Sequence, residues 1–252
     1  VFWRKLFGGS KDSDPAYSIP EGERVYAIGD VHGRADLLVK LCEMIKADIA
    51  GAVPAKTTVI FLGDYIDRGF HSREVIEYLI NLEISGAELV FLAGNHEDMM
   101  SRFFTDPAEC QLWLGVGGIA ALASYGVFLR DDSDIEDMLQ ASTELLKAMP
   151  TSHRDFLLQL GEHYQVGEYL FVHAGLRPGV PLTAQRRSDK LSIRRQFTES
   201  DFDFGLRVVH GHSGVKKPVT TKNRIAIDTG AFATGVLTAA VIESDHVRFL
   251  NT

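Results

Sequence analysis

Three short apolar runs, at 25–28, 57–62 and 89–92, alternate with two stretches of helical periodicity. Each run stops at, or one residue short of, a glycine followed by Asp or Asn: Gly29-Asp30, Gly63-Asp64 and Gly94-Asn95. The first helical stretch, 35–49, places Leu37, Leu38, Leu41, Ile45 and Ile49 on one face. The second, 72–84, carries Val75, Ile76, Leu79 and Ile80, with Ser72 as its cap and Gly86 near its end. A β-α-β-α-β order of this kind builds a parallel sheet with right-handed crossovers, and such sheets bind ligands beyond the carboxyl ends of their strands. All three polar motifs fall at those ends.

Two later segments continue the theme, His173-Ala174-Gly175 after the apolar run 169–172 and Gly211-His212 after 207–209. Further strands are expected at 224–227, 236–242 and 247–250, the last two joined by a turn at Ser244-Asp245. In Gly29-Asp30-Val31-His32-Gly33, alternation puts Asp30 and His32 on the same side of an extended chain. With Asp64, Asn95, His173 and His212 they form a mixed carboxylate, amide and imidazole set. That set suits two divalent ions of the Mn, Fe or Zn type better than an all-oxygen calcium cage. One carboxylate can bridge ions about 3.5–4 Å apart and so help generate a water nucleophile; Asp64 is the central carboxylate and the natural bridge. Alternation leaves open which of His210 and His212 reaches the metals.

The neighbours of these residues suit phosphate chemistry. Arg68, in Gly63-Asp64-Tyr65-Ile66-Asp67-Arg68-Gly69, offers a bidentate contact to a phosphoryl group. His96, in Gly94-Asn95-His96-Glu97, is placed to protonate a leaving oxygen, with Asp67 to orient its imidazole.

Taken in order, these five motifs resemble the signature of the PPP-type metallophosphatases, the calcineurin-like serine/threonine protein phosphatases and their bacterial relatives, over about residues 25–242. The resemblance implies an α/β fold, a β-sandwich of two mixed sheets flanked by helices. It also implies that Asp30, His32 and Asp64 hold one metal, and that Asp64, Asn95, His173 and His212 hold the other. Arg68 would bind phosphate, His96 and Asp67 would form an acid pair, and His212 is favoured over His210. A second phosphate-binding arginine is expected in Ser192-Ile193-Arg194, making Arg194 the first choice and Arg195 the second. The interval from His173 to His212 is short beside the large eukaryotic phosphatases, and the run from Trp113 through Gly117-Gly118 to Ser124-Tyr125-Gly126 and the segment His173-Ala174-Gly175-Leu176-Arg177-Pro178-Gly179 look like small bacterial members.

The segment 98–161 has helical patterning near 112–124, 135–149 and 153–160 and none of the motifs, so it reads as a helical cap inserted into a catalytic domain at 22–252. Residues 1–21 read as a flexible tail whose hydrophobic and basic start is too short to span a membrane. No run reaches the roughly 18–20 apolar residues of a span. The 34 acidic residues against 26 Lys and Arg argue against a nucleic-acid-coating or polybasic membrane surface. Two scattered cysteines, Cys42 and Cys110, point to a reducing, cytoplasmic setting. Asp228-Thr229-Gly230 occurs once and reads as a structural turn, and Trp113 as a packing residue.

The expected activity is therefore hydrolysis of phosphomonoesters in proteins, with phosphoserine or phosphothreonine the first choice and phosphotyrosine the second, and with Mn²⁺ as the leading metal. The alternative is a symmetrical dinucleoside tetraphosphatase or another phosphoanhydride hydrolase. Against that stands Asp67, where such enzymes typically carry an Ala-Arg-Gly version of the motif. A non-catalytic phosphoprotein-binding module is the third reading, disfavoured because no catalytic residue is missing.

Overall fold

The computed structural model describes residues 17–130 and 133–252. Two five-stranded mixed sheets pack face to face. The first runs β10-β9-β1-β2-β3, from β1 (Glu23–Ile28), β2 (Lys56–Phe61), β3 (Ala87–Phe91), β9 (Thr238–Glu243) and β10 (His246–Asn251). The second runs β4-β5-β6-β8-β7, from β4 (His163–Val166), β5 (Tyr169–Val172), β6 (Arg207–His210), β7 (Val219–Thr220) and β8 (Arg224–Ala226). β1, β2 and β3 pair in parallel, as do β5, β6 and β8, while the pairs β1–β9, β9–β10, β4–β5 and β7–β8 are antiparallel.

Side-chain alternation divides the core. Val25 and Ala27 of β1 face the second sheet and meet Tyr169, Phe171, Val209 and Ile225. Tyr26 and Ile28, pointing the other way, pack under α1 (Ala35–Gly51) and α2 (Ser72–Ile80). Leu170, Val172 and Val208 bury a third cluster against Ile193 and Phe197.

The helical segment is present, but it starts inside a site motif. α3 (Asn95–Thr105) opens at Asn95, and helices at Ile135–Ala148 and Thr151–Leu158 follow. The expected helix near 112–124 is broken into three pieces around a π-helical turn, Leu114–Gly118, where Gly117 sits at φ 126°. α2 stops at Ile80 rather than 84, where the Asn81 side-chain amide, Nδ2, donates back to the Glu77 carbonyl at 2.8 Å and Leu82 and Ile84 turn into the core. β4 and β7 lie outside the expected strands: β4, His163-Tyr164-Gln165-Val166, has no apolar run and β7 has only two residues.

The tail expectation needs correction where it is described. Tyr17 and Ile19 are buried between the sheets, Tyr17 Oη donates to Asp203 and Ile19 N donates to the Ser244 carbonyl. Residues 1–16, including the hydrophobic and basic start, lie outside the described residues. Among the described residues, no helix is long and apolar enough to cross a membrane, and Cys42 and Cys110 are buried.

Candidate metal centre and active site

The ends of β1, β2, β5 and β6 converge with the start of α3, and the polar residues they carry come together. Asp64 Oδ2 is the hub. His173 Nε2 lies 3.4 Å from it, His32 Nε2 3.5 Å and His96 Nε2 3.8 Å. Ligand atoms fall into two groups that share Asp64: His32, Asp64 and His96, and Asp64, His173 and His212. Asn95 Oδ1 is 3.0 Å from His173 Nε2, and Asp30 Oδ2 is 4.0 Å from His32 Nε2. Both Asp30 oxygens accept from the His212 backbone N–H at 3.1 Å.

Imidazole orientation fits a metal. His32 Nδ1 donates to the Ile66 carbonyl and His173 Nδ1 to the Leu62 carbonyl, both at 2.9 Å, which turns each Nε2 toward Asp64. His32 Nε2 and His212 Nε2 are buried without a hydrogen-bond partner. Such orphaned acceptors are costly unless an ion occupies the space beside them. Asp30, Asp64, Asp67, Glu97 and Asp228 are all buried around the same point. A cluster of buried carboxylates demands positive charge. The donor set therefore fits two divalent cations.

The electrostatics follow from that crowding. Burial, reinforced by Asp228 and Asp64, raises Asp30 well above the usual carboxylate range. Burial opposes ionisation of Asp64 as well, but His173 and His96 overcome it and hold Asp64 well below that range. Burial pushes His32 and His212 down to about 3, so both are neutral. His173 is also buried, yet Asp64 and Asp30 pull it up to about 10.

His96 and Asp67, the residues expected to form an acid pair, are in contact. His96 Nδ1 donates to Asp67 Oδ2 at 2.6 Å, leaving Nε2 facing Asp64 and Arg68 Nη2, the latter at 3.4 Å. Burial lowers the proton affinity of His96, but Asp64 and Asp67 outweigh it and the net shift is upward. Arg68 is half-buried, its guanidinium 4.6 Å over the Phe232 ring. Arg194 is exposed, and its charge is felt at His212. Arg195 lies next to Glu199 instead, 3.8 Å away.

Backbone strain is concentrated here. Six described non-glycine residues have positive φ, and five of them are His32, Asp64, Asp67, Arg68 and His212. Conformations of this kind cost on the order of 1–3 kcal/mol each and persist where surrounding bonds over-determine them. Two motif glycines serve close approach more than turning: a Cβ at Gly94 would collide with Asp64 Oδ1, and one at Gly211 with Asp30 Oδ1.

Residues 23–228 match the calcineurin-like phosphoesterase family. The chain belongs to that family. Among relatives of this phosphoesterase, a bis(5'-nucleosyl)-tetraphosphatase PrpE [asymmetrical] from Bacillus thuringiensis (strain Al Hakam) is 27% identical, covering 84% of this chain and 87% of its own. The PrpE of Anoxybacillus flavithermus is 26% identical with the same coverage. A solved structure of a candidate diadenosine tetraphosphatase superposes with a TM-score of 0.62 at 20% identity, covering 91% of this chain and 94% of its own. The cold-active protein-tyrosine phosphatase of a Shewanella species gives 0.57 at 15% identity, covering 98% and 86%. At those identities the two structures establish the fold alone, the two-sheet sandwich described above.

Several residues that build the phosphoesterase site lie outside the expected site set. The Glu97 carboxylate accepts backbone N–H bonds from Asp64, Tyr65 and Gly94 at 2.8–2.9 Å and from Ile66 at 3.3 Å, tying the second motif to the third. The signal was its place beside His96. Trp113, expected only to pack, donates Nε1–H to Asp67 Oδ2 at 2.7 Å. Ser72, expected as a helix cap, instead accepts from Asp67 N with its hydroxyl at 3.0 Å. The Asp228 carboxylate does close a turn on Gly230 N, at 2.9 Å, and also stands close enough to Asp30 to raise it.

Proposed function

We propose that this phosphoesterase is a two-metal hydrolase, with dinucleoside tetraphosphates as its substrates. The observation that carries the chemistry is the convergence of three imidazole Nε2 atoms on one oxygen of Asp64. Asp30, His32 and Asp64 would hold one ion, and Asp64, Asn95, His173 and His212 the other. When bound, two divalent ions, with Mn²⁺ the first choice and Fe or Zn the others, supply Lewis acidity to the phosphoryl oxygens and to an attacking water.

The chain's own residues do the rest. Arg68, steadied by Phe232, clamps a phosphoryl oxygen pair, and Arg194 supplies a second cation from the solvent side. His96, oriented by Asp67, gives its Nε2 proton to the leaving oxygen. The substrate class is supported by relatives named bis(5'-nucleosyl)-tetraphosphatases along 84% of the chain. This reading replaces the expected protein substrate as the leading one.

One observation favours phosphomonoesters as a second reading. The Asp67–His96 pair is intact, and an alkoxide leaving from a phosphoserine needs a proton far more than a phosphate leaving from an anhydride does. A side-by-side assay decides. Mn²⁺-loaded protein should cleave diadenosine tetraphosphate with a higher kcat/KM than a phosphoserine peptide. The opposite order overturns the substrate assignment and selects the protein substrate.

A further inference from the structure

Beside Arg68 lies an open groove of about 540 Å³ whose lining includes Arg34, Asp36, Arg68, Phe70, Glu74 and Phe232. Two aromatic rings stand in it with much of their surface in solvent: Phe70 is 73% exposed and Phe232 40%. A phenyl ring so exposed contributes little to folding, and next to a phosphate-type arginine it marks a contact surface.

The rings are carried on fixed backbone. Gly69 N donates to the His32 carbonyl at 3.1 Å and His71 N to the Gly33 carbonyl at 3.2 Å, so the loop bearing Phe70 is pinned on both sides. Arg34 grips Asp36 through Nε and Nη2 and donates Nη1–H to the Ala231 carbonyl at 3.0 Å, which ties the start of α1 to the turn carrying Phe232. His32 meets Phe232 nearly at right angles, with centroids 5.6 Å apart, and Arg68 covers one face of that ring. Glu74 and His71, 3.7 Å apart, close the far side.

We propose that this groove is a nucleobase subsite. A nucleotide has an anionic phosphate chain at one end and a planar base at the other. The groove offers Arg68 where it joins the metal-ligand cluster and aromatic faces beyond it. Bases stack on such rings with little regard to sequence. Phe70 is the stacking platform, and Phe232 both steadies Arg68 and walls the groove. The subsite deepens the proposed dinucleoside tetraphosphate chemistry and rests on it for the class of ligand.

Calorimetry on Mn²⁺-loaded protein tests this with two ligands that carry the same ionisable oxygens and differ in the esterifying group, α,β-methylene-ADP and the monomethyl ester of methylenediphosphonate. The nucleotide should bind about 10-fold tighter, the scale of one base stack. Phe70→Ala should bring the ratio of the two affinities close to one, and Phe70→Tyr should keep it. A ratio of one in the unaltered protein, or an unchanged ratio in Phe70→Ala, overturns the subsite. Turnover of diadenosine tetraphosphate is scored separately. Absence of turnover with the affinity ratio intact overturns the proposed substrate and supports the subsite; turnover with a ratio of one does the reverse.

Discussion

Trp113 donates its indole N–H to Asp67 Oδ2 at 2.7 Å, the same oxygen that accepts from His96 Nδ1 at 2.6 Å. A residue of the helical segment thus grips the carboxylate that orients the proposed acid. Trp113→Phe removes the N–H and keeps most of the ring volume. A hydrogen bond to a charged group is worth about 1.5–3 kcal/mol. The variant should lose about 10-fold in kcat on an alkyl phosphate and clearly less on p-nitrophenyl phosphate, whose leaving group needs little protonation. Equal losses on both substrates, measured by steady-state kinetics, would assign Trp113 to packing alone.

His96 itself should show the same dependence more strongly. His96→Ala is expected to cost about 10²–10⁴ in kcat on a phosphoserine peptide. On diadenosine tetraphosphate the loss should be much smaller, because the departing phosphate is already a good leaving group. A comparison of the two kcat values in one preparation checks this.

Glu97 accepts four backbone N–H groups from the loops that present Asp64 and Asn95. In Glu97→Gln one acceptor oxygen becomes an NH₂ facing those donors. Groups that orient ligands in this way typically contribute 10–100-fold to metal affinity. A fall of about that size in Mn²⁺ affinity, read by competition with a metal indicator, is expected together with a lower Tm.

Metal loading should release protons. Because Asp64 and Asp30 pull His173 up to about 10, its imidazole carries a proton at pH 7.5. A ligand nitrogen must give that proton up, whereas His32 and His212, pushed down to about 3 by burial, have none to give. Titration with Mn²⁺ in buffers of different ionisation enthalpy should report at least one proton released per chain. Affinity should therefore rise with pH up to about 10. EDTA should abolish turnover and Mn²⁺ should restore it.

The parts of the site that lie at strand ends were legible because glycine-flanked Asp, Asn and His mark those ends directly. His32 and Asp64 meet because they follow adjacent parallel strands, β1 and β2, while His173 arrives from β5 of the facing sheet. Glycine's reason was only half visible: Gly94 and Gly211 are small because carboxylates pass against them, a fact about residues distant in the chain. Long-range polar contacts leave no periodic trace, so the Trp113–Asp67 bond across 46 positions and the Arg34–Ala231 bond across 197 could not be read. Ser72 misled for a physical reason, since serine at a helix start ordinarily caps it, and here its hydroxyl serves Asp67 instead.

Everything turns on Asp64 as a carboxylate shared by two ions. Electron paramagnetic resonance of Mn²⁺-loaded protein, with metal content measured on the same sample, tests that most directly. The expected result is two Mn²⁺ per chain with an exchange-coupled spectrum, and loss of the coupling in Asp64→Asn. One isolated Mn²⁺ per chain, or a coupled pair that survives Asp64→Asn, would contradict it.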